Sequence, residues 1–153
     1  PTMTFDPPLG AEASRVVTDP PHGFASGVDY LGELRRMQHG EVTANMQAHV
    51  TAAAQRVDQL GVAAMTPGQQ RALGTHPGLY PAFRGNRIDV RARRAITTDP
   101  VIGGQLPNLR SLYTRGPDFR DLTTLRWWDM TTRAHWPEHV RRYGPDGTHL
   151  PTN

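Results

Sequence analysis

The chain has 153 residues, 37% of them apolar, with 17 basic and 14 acidic side chains for a formal charge of +3. That size and apolar fraction fit one modest core, and no apolar run approaches the roughly eighteen residues a membrane span needs. The absence of cysteine excludes disulfide scaffolds, thiolate-bound zinc and thiol nucleophiles; every basic residue is arginine, which also excludes mechanisms that need a lysine amine.

The N-terminus lacks the basic-then-apolar layout of a signal peptide, and Pro1 in place of Met leads us to expect a piece cut from a longer chain. Charge is uneven along the chain. Residues 1 to 73 carry five Arg against seven acids, and residues 74 to 153 carry twelve Arg against seven, so the second half is the half suited to a polyanion.

Residues 1 to 24, with Asp6-Pro7-Pro8 and Asp19-Pro20-Pro21, read as an extended linker or arm. A helical lead-in follows over 25 to 73. It comprises a helix from Ser26 to about Gln38 and a second from Glu41 to Leu60, where Val42, Met46, Val50, Ala53, Val57 and Leu60 recur at helical steps. Gly61 falls where a C-terminal cap belongs, and Thr66-Pro67 reads as the start of a short helix ending near Gly74.

Residues 74 to 153 are expected to form the functional domain. Asn86 to Thr97 reads as an Arg-rich helix, and Thr98 to Asn108 as a loop. Leu109 to Phe119 and Leu125 to Thr131 read as two strands of a hairpin connected by Asp121 to Thr124. Thr132 to Tyr143 is expected to be a helix with Trp136 and Val140 inward, stopped by Gly144-Pro145, and Thr148 to Thr152 a last short strand. The fold class is therefore α+β, with N-terminal helices followed by a helix, a hairpin or sheet, a helix and a strand.

A turn between Thr123 and Thr124 makes residues whose numbers sum to 247 face each other, which sets Asp118 opposite Asp129 on one sheet face. Thr131 shares that face, while Trp128 and Met130 point to the other, into a core. Opposed carboxylates repel, so the placement makes physical sense around a divalent cation that accepts oxygens from both. The turn carries no Asn-Gly or Asp-Gly signal, and a one-residue slip separates the two acids. Gly-Pro-Asp also reads as an ordinary turn.

Arg115-Gly116-Pro117-Asp118-Phe119, followed by Trp127-Trp128-Asp129-Met130-Thr131-Thr132 and a helix from near Arg133, resembles the PD-(D/E)xK restriction-endonuclease-like superfamily. It looks most like the C-terminal toxin domains of bacterial polymorphic toxins, including Rhs-type toxins, over roughly Phe83 to Thr152. The resemblance implies a metal-dependent endonuclease in which Asp118 and Asp129 hold Mg²⁺ or another divalent cation. It further implies an acidic residue from the first helix, for which Asp89 is the best match and Glu138 a weaker one. The position two after Asp129, where the family usually has lysine, is Thr131, and a hydroxyl cannot supply a positive charge.

The resemblance also implies a nuclease toxin delivered into the cytoplasm of a target cell and a cognate immunity protein, acidic where it covers an Arg-rich face. Arg84, Arg87, Arg91, Arg93, Arg94 and Arg133 are candidate phosphate contacts. The Trp pair and Tyr113 can stack bases or serve as core.

Two other readings stay open. His135, His139 and His149 can act as general acid and base in a metal-independent ribonuclease, and His135 and His139 stand four apart on a helix without an HExxH pattern. The alternative is a non-enzymatic module whose Arg-rich helix docks on nucleic acid or an acidic protein. Gly103-Gly104 matches no phosphate loop.

Overall fold

A computed structural model describes residues 29–113 and 116–153. The expected arm over 1 to 24, the helix start at Ser26, and Arg115 lie outside the described residues.

The lead-in forms one helix, α1 (Tyr30–Leu60), in place of the expected two. The Asp29 carboxylate caps it by accepting the Gly32 N–H at 2.8 Å. Gly40 sits inside the helix, where a lone glycine costs only about 1 kcal/mol. Burial of Val42, Met46, Val50, Ala53, Ala54 and Val57 along one face outweighs that cost. Gly61 ends the helix with φ near 53° and donates its N–H to the Val57 carbonyl.

Helix α2 (Pro67–Thr75) starts as expected: Thr66 accepts from the Gln69 N–H, Gln69 reciprocates, and Pro67 occupies the first turn. The Arg-rich helix α3 spans Tyr80–Thr98, six residues longer at its start than the periodicity indicated. The expected loop after it contains a short helix, α4 (Pro100–Gln105), capped by the Asp99 carboxylate on the Val101 and Ile102 N–H groups. Asp99-Pro100 is itself a helix-start signal that the glycines following it obscured.

Four strands follow: β1 (Leu109–Ser111), β2 (Phe119–Asp121), β3 (Trp127–Thr131) and β4 (Gly147–Pro151), in that order across one sheet. The expected single strand from Leu109 to Phe119 is two strands paired antiparallel, because Pro117 has no N–H to offer a ladder. Strand β2 pairs antiparallel with β3, and β4 runs parallel to β3 after helix α5 (Trp136–Tyr143). That helix starts four residues later than expected, its first turn holding Pro137.

The chain is thus α+β, with helices mostly N-terminal to a four-stranded mixed sheet. One sheet face, through Phe119, Trp128 and Leu150, shares a hydrophobic core with α1 and α3, including Met46, Ile88 and Ile96. The Trp128 indole N–H donates to Thr43 Oγ1 at 2.9 Å, so this buried aromatic keeps its polar atom satisfied. On the opposite face, α5 covers Trp127, whose ring lies 5.5 Å from Trp136 and 5.6 Å from Tyr143. Both tryptophans of the pair are therefore packing residues.

Candidate functional site

The hairpin register places Phe119 against Trp128 and Arg120 against Trp127, so facing residues do sum to 247. What holds the turn is Asp121, which is buried and accepts hydrogen bonds from the Thr123 and Thr124 N–H groups and the Thr124 hydroxyl. This side-chain cap stands in for the missing Asn-Gly signal. Leu125 completes the turn with φ 61°, a left-handed conformation unusual for leucine.

Asp118 and Asp129 consequently come together at the end of the hairpin, and each is bonded to the other's strand. Asp129 Oδ1 accepts the Asp118 N–H at 3.1 Å, and Asp118 Oδ2 accepts the Met130 N–H at 2.7 Å. The other oxygen of each carboxylate meets a cationic or imidazole group: Arg93 Nη2 lies 2.5 Å from Asp118 Oδ1, and His139 Nδ1 contacts Asp129 Oδ2. Burial, followed by repulsion from Asp129, pushes Asp118 from 3.8 up to about 6 despite Arg93 and the Met130 N–H. Burial likewise raises Asp129, against the opposing pull of His139.

Arg93 is the organising cation, although its place in an Arg-rich helix suggested a phosphate contact. Only 5% exposed, it binds Asp89 at 2.6 Å on the turn behind it and Asp118 in front. It also donates to Ser111 Oγ and to the carbonyls of Leu112 and Asp118, at the end of the β1–β2 pairing where the Leu112 N–H also donates to the Asp118 carbonyl. The i, i+4 spacing of Asp89 and Arg93 was the available signal for an internal pair. Asp89 thus joins the cluster through Arg93.

His149, opposite Asp129 on β4, donates from Nε2 to the Thr131 carbonyl at 2.9 Å and stacks on Trp136 at 4.8 Å. Thr131 lies on the face of Asp129, two residues along β3. His135 lies just before α5, not on it, and bonds the Thr132 hydroxyl through Nδ1, whereas His139 on the helix contacts Asp129. Glu138 pairs with Arg141 and Arg142 along α5 and does not join the carboxylates.

The remaining arginines divide by role. Arg84 forms a two-pronged pair with Asp58, at 2.6 and 2.7 Å, and Arg87 donates to the Ala64 carbonyl, so both tie helices together. Arg91 is half-buried; Arg94, Arg133 and Tyr113 are exposed.

The donor set at Asp118 and Asp129 is all oxygen, the ligand chemistry that a hard divalent cation takes. That chemistry fits Mg²⁺, which binds through one or two carboxylates and keeps several waters. Among the described residues, no cluster of three or more His, Asp or Glu side chains is arranged to hold a metal, so this pair would be the protein's direct contribution. The chain matches no family model, and neither curated proteins nor solved structures supply a match.

Proposed function

We propose that this chain is a nuclease domain that cleaves phosphodiester bonds of DNA or RNA, with Asp118 and Asp129 as its paired carboxylates. The observation that carries the reading is the juxtaposition of the two acids, Asp129 buried and Asp118 half-buried, each bonded to the other's strand. A fold that holds like charges together against burial and repulsion gains from a cation or a cationic reaction centre there. The resemblance noted in the sequence adds the biological setting: a toxin acting in a target cell, restrained in its producer by an immunity protein.

Asp118 and Asp129 would hold a divalent cation, which when bound activates water and offsets charge developing on the phosphate. The protein's own residues then have distinct tasks. Arg93 fixes the direction of the Asp118 carboxylate, with Asp89 holding the guanidinium from behind. His139, whose Nδ1 contacts Asp129, is the imidazole beside the pair and would serve as its proton-exchanging group. No lysine is present to add charge, and Thr131 contributes only polarity at its position.

The His139–Asp129 contact specifically favours a second reading, in which His139 acts as the proton-transfer group of a metal-independent ribonuclease. One set of incubations separates the two. Supercoiled plasmid and total RNA are exposed to wild type, Asp118→Asn and His139→Ala, each with Mg²⁺ or with EDTA. The first reading expects cleavage that requires Mg²⁺ and is abolished in Asp118→Asn. The second expects RNA cleavage that persists in EDTA and in Asp118→Asn, and falls roughly 10²- to 10⁴-fold in His139→Ala. Intact DNA and RNA in every lane from folded wild-type protein overturns both.

A further inference from the structure

A cleft of about 580 Å³ is lined by Leu112, Gly116, Pro117, Arg120, Arg142 and Tyr143, and Pro117 directly precedes Asp118 in the chain. Its two arginines are placed by the elements that carry the site. Arg120 lies on β2 two residues after Asp118, which sets it on the same sheet face about 7 Å along the strand. Arg142 lies on α5 three residues after His139, the neighbouring position on that helix surface. Strand and helix thus each present one reaction-site residue and one guanidinium.

The two arginines differ from those that hold the fold together. Arg120 Nε is buried and has no hydrogen-bond partner among the described residues. Arg91 Nε on α3 is likewise buried without a partner, so what sets Arg120 apart is its place in the lining of the cleft. Arg142 is 60% exposed, reaches Glu138 only at 3.3 Å and lies 6.0 Å from the Tyr143 ring centre. Cleft, paired guanidinium groups and an aromatic ring together suit a phosphate with an attached base, since arginine matches phosphate through parallel N–H bonds and aromatic faces stack bases.

We propose that Arg120 and Arg142 bind the backbone phosphate next to the scissile one, with Tyr143 against its base, so that this cleft fixes the nucleic-acid strand across Asp118 and Asp129. The inference rests on the nuclease reading for the identity of the ligand. It assigns strand binding to α5 and β2, and not to the Arg-rich helix α3 that the sequence singled out.

The test measures binding apart from cleavage. Fluorescein-labelled oligothymidylate and oligouridylate are titrated in EDTA at several salt concentrations with wild type, Arg120→Gln, Arg142→Gln and Arg56→Gln. Arg56 is an exposed α1 residue and serves as the charge-matched control. Each cleft variant should weaken binding and lower the slope of log affinity against log salt by about 0.7, the contribution of one phosphate contact on a single strand. Arg56→Gln should leave both unchanged.

Unchanged affinity and slope in Arg142→Gln, whose side chain is exposed and whose melting temperature checks the fold, overturn the proposal. So does an equal loss in Arg56→Gln, which would make the effect one of net charge. Cleavage with Mg²⁺ is scored separately. A wild type that cuts, with binding indifferent to Arg120 and Arg142, leaves the nuclease reading standing without this cleft; one that binds through them yet cuts nothing does the reverse.

Discussion

Asp118 holds its proton more tightly in the folded chain than an ordinary aspartate does, with a value of about 6 against 3.8. Folding therefore takes up a proton between these values, and by linkage the stability contributed by this group falls as pH rises from about 4 through 6. The difference corresponds to roughly 3 kcal/mol of strain in the ionised form at neutral pH. Asp118→Asn should raise the unfolding free energy above pH 6 by on the order of 1 to 3 kcal/mol, less what the amide loses in its bonds to Arg93 and the Met130 N–H. Chemical denaturation across pH checks this. A variant less stable than wild type above pH 6 would show that the Arg93 pair, and not burial, dominates at this residue. The expected cost is one that sites retain when function needs the charge.

At the level of elements, β4 accepts the Trp127 ring directly over its first residue. A Cβ built at Gly147 would run into the six-membered ring of Trp127, which Trp136 and Tyr143 confine from the other side. Gly147→Ala should therefore lower stability by about 1 to 3 kcal/mol, the usual cost of overpacking, and change the tryptophan fluorescence. An unchanged melting temperature would mean that α5 moves aside without penalty. The same region shows what sequence can and cannot convey. The register of β2 and β3 was legible because a period of two and the position of the turn fix it, and Asp118 and Asp129 came with it. The approach of His139 to Asp129 was not, because it depends on how α5 lies across the sheet, which no local pattern encodes. Arg93 was misjudged for a related reason. Arg-rich spacing describes a helix surface, and only the packing of α3 on the sheet decides which arginine turns inward.

On the scale of the whole molecule, residues 30 to 60 are part of the core that supports the site. Val42, Met46, Val50 and Val57 pack in one cluster with Ile88, Ile96, Phe119, Trp128 and Leu150. Removing residues 1 to 60 should leave a chain without cooperative thermal unfolding, since the core-facing side of the sheet loses its cover. Circular dichroism would register the loss, and a sharp unfolding transition in the truncated chain would show that residues 61 to 153 fold without α1. The α+β class, with helices mostly ahead of the strands, was legible from periodicity, but α4 and the division of the first expected strand into β1 and β2 were not. The continuity of α1 was hidden by Gly40, whose local cost is small beside a shared core.

The reciprocal bonds between Asp118 and Asp129 also carry a consequence for pairing. Shifting β2 against β3 by one residue turns one carboxylate toward the opposite face and breaks both bonds at once. A partly paired hairpin thus cannot display a partial site. The correct register and the juxtaposition of Asp118 with Asp129 therefore stand or fall together.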